Sequence, residues 1–192
     1  GVGFSDTSKE QSYNVKYNFM SGSEQDMIRK VEKSDMKEVA DIWLESNIEV
    51  HGFISADYWI NQFNMVKELL ESSEIYVYDD KNLDRDNLSG EERIISGFIG
   101  MNENHVEGIF VKGAERSKGI GRALINYVKA VKGRLILNVY QKNERALMFY
   151  LREGFKVLEE QTDHATGEKE LLMAWDKDTG TAYDDEWYNN KR

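Results

Sequence analysis

The feature that most constrains the fold is a strand-to-helix junction in the second half of the chain. The run His105–Lys112 has the length and apolar content of a strand, and a short basic loop follows it. Beyond the loop, Ile120, Leu124 and Val128 recur at helical spacing and predict a helix over 119–131. The junction therefore requires a sheet against which this helix packs.

The remaining segments extend the junction into a mixed sheet. Helices are predicted to begin after Ser34–Asp35, Ser55 and Asn143, where a polar residue precedes apolar residues at helical spacing. Strand-like segments occupy residues 27–31, 75–78, 94–100, 105–112, 135–137, 157–161 and 171–175. The resulting order, β-α-α-β-β-β-α-β-α-β-β, predicts an α/β protein with an α+β mixed sheet and helices on both faces.

The domain boundaries follow the change from polar to patterned sequence. Residues 1–26 are polar and rich in Gly and Ser, so we predict an N-terminal extension there. One domain is predicted over 27–176, followed by a polar C-terminal tail over 177–192. Within the domain, residues 79–93 are crowded with acidic side chains and are predicted to form a solvated loop.

The composition argues against several classes of function. The chain has no cysteine, and its three histidines, His51, His105 and His164, fit no metal-ligand spacing, so no metal is predicted. A formal net charge of −10 disfavours a nucleic-acid partner, because such a partner requires a basic face. No apolar run is long enough to span a membrane. We expect a cytoplasmic protein that is a monomer or a homodimer.

The loop of the junction has the features of a pyrophosphate site. Its residues are Arg116, Ser117, Lys118, Gly119, Ile120, Gly121 and Arg122. The first turn of a helix presents unpaired N–H groups and the positive end of the helix dipole. Glycine lets a ligand approach that backbone closely, and the basic side chains surround it with positive charge. In a chain this acidic, such a cluster indicates an anionic ligand.

The spacing separates this loop from two other phosphate motifs. A P-loop needs a second glycine five residues after its first, but Lys118 stands five residues after Gly113. The dinucleotide fingerprint needs a third glycine where Leu124 stands. The remaining pattern, Arg-x-x-Gly-x-Gly at 116–121, resembles the acetyl-CoA loop of the GNAT acetyltransferases.

A second motif downstream strengthens this resemblance. Residues 143–155 carry Asn-x-x-Ala-x-x-x-Tyr-x-x-x-Gly-Phe, which is similar to the later motif of the same family. The stretches 43–59 and 139–143 are similar to a subgroup of small bacterial members, some of which are associated with lysine acetylation. The resemblance covers residues 27–175. It implies the family's acyl-CoA N-acyltransferase fold, with acetyl-CoA as the acyl donor.

The resemblance also implies which residues hold the cofactor. The pyrophosphate would lie on residues 116–122, whose basic side chains are otherwise ordinary surface charges. The pantetheine arm would pair with the strand backbone at Phe110 and Val111. Asn143 and Ala146 would contact the cofactor at the start of the next helix, which Asn143 is also predicted to cap.

For catalysis, the resemblance implies direct attack of an amine on the thioester, with Tyr150 donating a proton to the departing thiolate. Tyr150 would also contact the cofactor, and the alternative is an ordinary aromatic residue of the core. The base is open between His105 and Glu107, which lie two residues apart on one strand face. Some family members use a glutamate where Asn138 stands, and an amide cannot serve as a base.

The acceptor side is predicted near the junction of the first two helices. His51 and Phe53 lie there, and together with Asn138 they are the predicted acceptor-binding residues. We expect an N-acetyltransferase whose acceptor is a primary amine, namely a protein lysine, a peptide N-terminus or a small amine. The alternative is a non-catalytic acyl-CoA-binding regulatory module that has the loop without turnover.

Overall fold

Within the described residues, 27–80 and 94–178, the computed structural model contains seven strands and four α-helices. The strands are β1 Ile28–Lys30, β2 Glu74–Asp79, β3 Ile95–Asn102, β4 His105–Val111, β5 Arg134–Tyr140, β6 Lys156–Thr162 and β7 Lys169–Asp176. The helices are α1 Met36–Val50, α2 Ala56–Ser72, α3 Ile120–Val131 and α4 Glu144–Arg152. This order confirms the predicted one. The predicted extension at 1–26, most of the loop at 79–93 and most of the tail at 177–192 lie outside the described residues.

These strands form one mixed sheet with the order β1-β2-β3-β4-β5-β7-β6. Among them, β4 and β5 pair in parallel, while every other neighbouring pair is antiparallel. Parallel neighbours need a crossover connection, and α3 supplies it between β4 and β5. The sheet is therefore mixed, as the sequence predicts.

The helices cover both faces of the sheet, and the alternating residues of β2 show this. Ile75 and Val77 pack on one side with α1 and α2, whereas Tyr76 and Tyr78 pack on the other side with α3 and α4. The first core also contains Val39, Ile42, Leu70 and Phe98, and the second contains Leu124, Ile125, Leu147, Leu151 and Trp175. The prediction of helices on both faces is confirmed.

Two of the three predicted helix starts are capped as expected. Ser55 Oγ accepts the N–H two residues on at 3.3 Å, and Asn143 Oδ1 accepts the N–H three residues on at 3.2 Å. Asp35 stands at the cap position of α1, but its side chain does not cap the helix. Its buried carboxylate binds the Arg29 guanidinium at 2.7 Å, because a charged donor stabilises a buried carboxylate more than a single N–H does.

A β-bulge interrupts β4 at Glu107. Residues 100–101 of β3 pair with Gly108 and Val106, so Glu107 is an extra residue on β4. The extra residue bends the strand and shifts its alternation. Val106 and Ile109 consequently face the same side of the sheet, and both pack in the core beneath α3 and α4.

Beyond this bulge, β4 and β5 separate. Their register pairs are His105 with Ile136 and Val106 with Leu137. Farther along, β4 is paired with β3 and β5 is paired with β7. The bend at the bulge thus opens a gap between the carboxyl ends of two parallel strands, and such ends are where sheets of this kind bind ligands.

Two other kinds of feature are absent from the described residues. In 27–80 and 94–178, no helix combines the length and the apolar content that crossing a membrane demands. In the same residues, no group of three or more His, Asp and Glu side chains is arranged to hold a metal ion.

Candidate active site

A cavity of about 490 Å³ lies between the end of β4, the start of α3 and one face of α4. It is lined by most of the residues predicted to bind the cofactor, namely Val111, Arg116, Ser117, Gly119, Ile120, Gly121, Arg122, Asn143, Ala146 and Tyr150. These residues come from two motifs that are separate in sequence. The fold brings them together because α3 and α4 pack on the same face of the sheet.

Phe110 and Lys118, which are predicted to bind the cofactor, do not line the cavity. The Phe110 ring stacks on Phe98 with 4.9 Å between ring centroids, on the side of the sheet that α1 and α2 cover. Alternation along β4 explains this, because Val111 faces the cavity and its neighbour must face away. The Lys118 ammonium is exposed and pairs with Glu115 at 2.9 Å.

The start of α3 presents free backbone donors to the cavity. The first hydrogen bond of the helix joins the Ala123 N–H to the Gly119 carbonyl at 2.9 Å, so the preceding N–H groups have no partner within the helix. Gly119 has a φ of 89° and Ser117 a φ of 66°, both in the left-handed region. Glycine adopts this conformation without strain, which explains its use at the helix start.

Arg116 fixes the loop to two other elements. Its Nε donates to the Val111 carbonyl at 3.1 Å, and its two Nη atoms bind both carboxylate oxygens of Glu49 on α1 at 2.7 and 2.8 Å. Such a bidentate pair is rigid as well as strong. Arg116 therefore orients the loop in the free protein, and its predicted contact with phosphate would share the guanidinium with Glu49.

Three more arginines line the cavity. Arg122 pairs with Glu153 at 3.0 Å, and Arg145 donates to Ser117 Oγ at 3.2 Å. Arg152 also lines it. With Arg116, these side chains surround the free N–H groups of α3 with positive charge, which favours an anionic ligand such as a pyrophosphate.

Tyr150 lies on the wall of the cavity and is 7% exposed. Its ring packs edge-on against Phe149 and Phe155. Burial raises the pKa of Tyr150. The hydroxyl therefore keeps its proton throughout the neutral range, and Tyr150 can act as a hydrogen-bond donor at the cavity wall.

Asn143 joins the cavity to His51 at the end of α1. The Asn143 carbonyl oxygen caps α4, and its Nδ2 lies 3.3 Å from Nε2 of His51. Because the amide oxygen already accepts an N–H, the amide nitrogen faces His51, and Nε2 of His51 must be the acceptor. His51 therefore carries its proton on Nδ1. Burial lowers the pKa of His51 to about 4, which keeps the ring neutral.

The predicted acceptor residues His51 and Phe53 belong to an aromatic cluster. Their ring centroids are 5.6 Å apart, and Tyr140 on β5 contacts both rings edge-on. Trp59 on α2 lies against His51 from the other side, and it is buried. The Lys142 ammonium stands 5.4 Å from the centre of the Phe53 ring. The cluster therefore already binds a cationic group on one aromatic face.

The two predicted bases contact one another on the opposite side of the β4–β5 gap from α3. Nδ1 of His105 lies 3.1 Å from Oε1 of Glu107, and Nε2 of His105 lies 3.1 Å from Oδ1 of Asn138. The structure thus unites His105, Glu107 and Asn138 in one cluster, but none of the three lines the cavity.

Comparison with known proteins identifies the family. A family profile described as "Acetyltransferase (GNAT) domain" matches residues 71–157. Peptidyl-lysine N-acetyltransferase YiaC of Escherichia coli is 30% identical over 151 residues, which are 78% of this chain and 96% of that protein. The solution structure of apo YjaB from Escherichia coli superposes with a TM-score of 0.65 at 27% identity, covering 77% of this chain and 95% of that one.

The chain belongs to the GNAT acetyltransferase family. As a GNAT acetyltransferase it is an acyltransferase whose donor is acetyl-CoA and whose acceptor is an amine. The YncA structure from Salmonella typhimurium, solved with its cofactor acetyl-CoA, shares the fold with a TM-score of 0.54 at 15% identity, covering 82% of this chain and 96% of that one. The binding-only alternative is not favoured.

Sequence reasoning missed several groups at this GNAT site. Arg145 lines the cavity but stands at an unspecified position of the second motif, although its place in the first turn of α4 beside Asn143 is a usable signal. Glu170 on β7 accepts from Asn138 at 3.0 Å, and Asp163 accepts a short hydrogen bond from the Tyr140 hydroxyl at 2.5 Å. Neither acid is close in sequence to the motifs, so only the sheet order reveals them.

Proposed function

We propose that this GNAT enzyme acetylates the side-chain amine of lysine in a peptide or protein. The supporting observation is a pair of carboxylates on the face of the sheet opposite the cavity: Glu107 on β4 lies beside the gap between β4 and β5, and Glu170 on β7 lies on the far side of β5 from it. A lysine side chain that enters this gap toward the thioester carries a positive charge, and the two carboxylates attract that charge. The relatives named peptidyl-lysine N-acetyltransferases support the same class of acceptor.

On the donor side, we propose that the N–H groups at the start of α3 hold the pyrophosphate, with Arg122, Arg145 and Arg152 around it. The free edge of β4 would pair with the pantetheine arm as an added strand would. That arm directs the thioester toward the point where β4 and β5 part. The Val111 N–H lies on this edge and would stabilise the oxyanion.

The chemistry requires two proton transfers. The ammonium of the acceptor loses one proton to a base, for which we propose the pair of His105 and Glu107. The free amine attacks the thioester carbon, the C–S bond breaks, and the second amine proton leaves as the thiolate is protonated. We propose Tyr150 as the donor to that sulfur. Because its pKa is raised, Tyr150 stabilises the thiolate mainly by donating a hydrogen bond, and solvent completes the transfer.

The test is a competition between acceptors. The full chain would be incubated with acetyl-CoA and three amines: a lysine peptide with a blocked N-terminus, a lysine-free peptide with a free N-terminus, and a polyamine. Mass spectrometry would locate the acetyl group while release of CoA is measured. Acetylation of the blocked lysine peptide alone supports the proposal. Preference for either of the other amines would overturn it, and a matched arginine peptide controls for non-specific cationic binding.

The remaining expectations complete the proposal. We propose that the acetyltransferase domain spans 27–176, that the enzyme acts in the cytoplasm as a monomer or homodimer, and that it needs neither a nucleic acid nor a metal. The acidic net charge of −10 supports a cationic partner over a nucleic acid. Sedimentation of the full chain, with and without acetyl-CoA, measures the oligomeric state.

A further inference from the structure

A line of hydrogen bonds crosses four strands beside the predicted base. From Oε1 of Glu107 it passes to Nδ1 of His105 at 3.1 Å, and from Nε2 of His105 to Oδ1 of Asn138 at 3.1 Å. Nδ2 of Asn138 then donates to Oε1 of Glu170 at 3.0 Å, and Nε2 of Gln161 donates to the same oxygen at 2.7 Å. The line therefore joins β4, β5, β7 and β6 across the sheet.

The direction of each hydrogen bond in this line follows from the carboxylate of Glu170. An ionised carboxylate only accepts, and Glu170 accepts from two amides. Asn138 must therefore turn its nitrogen toward Glu170 and its oxygen toward His105. An amide oxygen only accepts as well, so Nε2 of His105 must carry a proton.

We propose that Asn138 and Glu170 are positioning residues that hold His105 in the Nε2–H tautomer, so that Nδ1 is the atom that takes the proton from the acceptor amine. This inference rests on the proposed function, since it specifies how the base of that reaction is set. It also explains Asn138, which occupies the place where some relatives of this fold have a glutamate. The Asn138 amide does not itself act as a base, but it fixes the tautomer of the base, His105.

The contact between His105 and Glu107 then has a defined meaning. With Nε2 protonated, Nδ1 of a neutral ring offers a lone pair, and a lone pair repels the carboxylate of Glu107. The 3.1 Å contact therefore requires one proton between Nδ1 and Oε1. When Nδ1 of His105 contacts Oε1 of Glu107, the pair already holds the proton. When the two atoms separate, Nδ1 is free to accept one. In the acceptor reaction, the amine N–H bond breaks as the Nδ1–H bond forms.

The titratable groups that face His105 lie on two strands. Among the described residues, its titratable neighbours are Glu107 on its own strand and, through Asn138, Glu170 on β7, while β3 presents Asn102 opposite it. Both titratable groups are acids.

The test reads the tautomer directly in the free protein by ¹⁵N NMR of the imidazole nitrogens. The chain has three histidines, so a His51→Gln and a His164→Gln variant assign the spectrum. We expect the neutral ring of His105 to show a protonated Nε2. In Glu170→Gln, a second amide replaces the acceptor, Asn138 can reverse, and both tautomers should appear. The exposed Glu159 on β6 supplies the matched control, Glu159→Gln, which should leave the ring unchanged.

A pH–rate profile of the same variants provides the second readout. Glu170→Gln should lower kcat by about tenfold and move the acidic limb of the profile, with KM for acetyl-CoA unchanged. A neutral His105 ring protonated on Nδ1 instead of Nε2 in the wild-type protein, or an unmoved profile in Glu170→Gln that still folds, would overturn the inference. The NMR experiment uses no substrate. A chain that shows the Nε2–H tautomer but never acetylates lysine contradicts the proposed acceptor and leaves the hydrogen-bond assignment standing.

Discussion

The molecule contains two histidine–asparagine pairs, one at the cavity wall and one outside the cavity, and their hydrogen bonds run in opposite directions. At the cavity wall, the amide nitrogen of Asn143 donates to His51, so His51 carries its proton on Nδ1. On the acceptor face, the amide oxygen of Asn138 accepts from His105, so His105 carries its proton on Nε2. The difference arises entirely from what the other end of each amide does.

Burial separates the two pairs further. His51 lies among three aromatic rings, and burial lowers its pKa to about 4, so it stays neutral and serves the structure. His105 is partly exposed beside the carboxylate of Glu107. The same pair of residue types thus yields a neutral, buried ring in one place and the proposed proton acceptor in the other, depending on what surrounds the ring.

The largest effect is expected on the cavity side from Tyr150→Phe. Removing the hydroxyl should lower kcat about 100-fold, because the departing thiolate loses its donor, while the affinity for acetyl-CoA stays nearly unchanged. Steady-state kinetics and calorimetric titration with acetyl-CoA measure the two quantities. Tyr127→Phe, whose ring packs against Tyr76 away from the cavity, is the matched control. Unchanged turnover would remove Tyr150 from the reaction.

A somewhat smaller effect is expected for His105→Gln, which tests the acceptor side of the comparison. The amide keeps a donor toward Asn138 but cannot accept the amine proton at neutral pH, so kcat should fall about 50-fold and the acidic limb of the pH–rate profile should disappear. The exposed His164 provides the control, His164→Gln. A profile that keeps its acidic limb would assign the base to Glu107 or to water.

The contrast between the histidines also predicts a pH dependence of stability. The folded pKa of His51 is about 4 against an ordinary 6.5, so the unfolded chain binds more protons between these values and the free energy of unfolding falls as pH drops through this window. His51→Phe should reduce the loss between pH 7 and pH 4 by about 2 kcal/mol, a figure lowered for partial exposure. Urea titrations at both pH values measure it, with His164→Phe as control. An equal loss in both variants would show that His51 does not titrate there.

The smallest effect concerns the glycine at the start of α3. A Cβ at position 121 would lie 3.6 Å from the Phe149 ring, an ordinary contact, so the protein itself tolerates alanine there. Only a bound ligand would be displaced, and Gly121→Ala should raise KM for acetyl-CoA about tenfold with the fold intact. Gly133→Ala, with open space at its Cβ, is the control. Equal KM values in the two variants would show that the ligand does not approach residue 121.

The two sides differed in how far the sequence could predict them. The donor side rests on short contiguous motifs, and strand-to-helix and cap patterns are local, so the order of elements and the loop at 116–121 were predictable. The acceptor side brings together four strands, and Glu170 lies 32 residues from its partner Asn138. No spacing rule connects them, because sheet order and register decide that contact. Ile109 shows the same limit within one strand, since alternation alone does not reveal the bulge at Glu107 that puts it on the same face as Val106.

The β-bulge at Glu107 changes which residues of β4 face the same side of the sheet. Val106 occupies an even position and Ile109 and Val111 odd ones, yet all three face the core on the α3 side. Glu107 is the residue that changes the parity. Deleting it would leave the pairs of Gly100 with Gly108 and of Met101 with Val106 in place, so Ile109 and Val111 would still face α3, while the bend that separates β4 from β5 would be lost. The one extra residue in this strand therefore specifies the opening beside the donor site, whereas the pairing with β3 specifies which side chains line it.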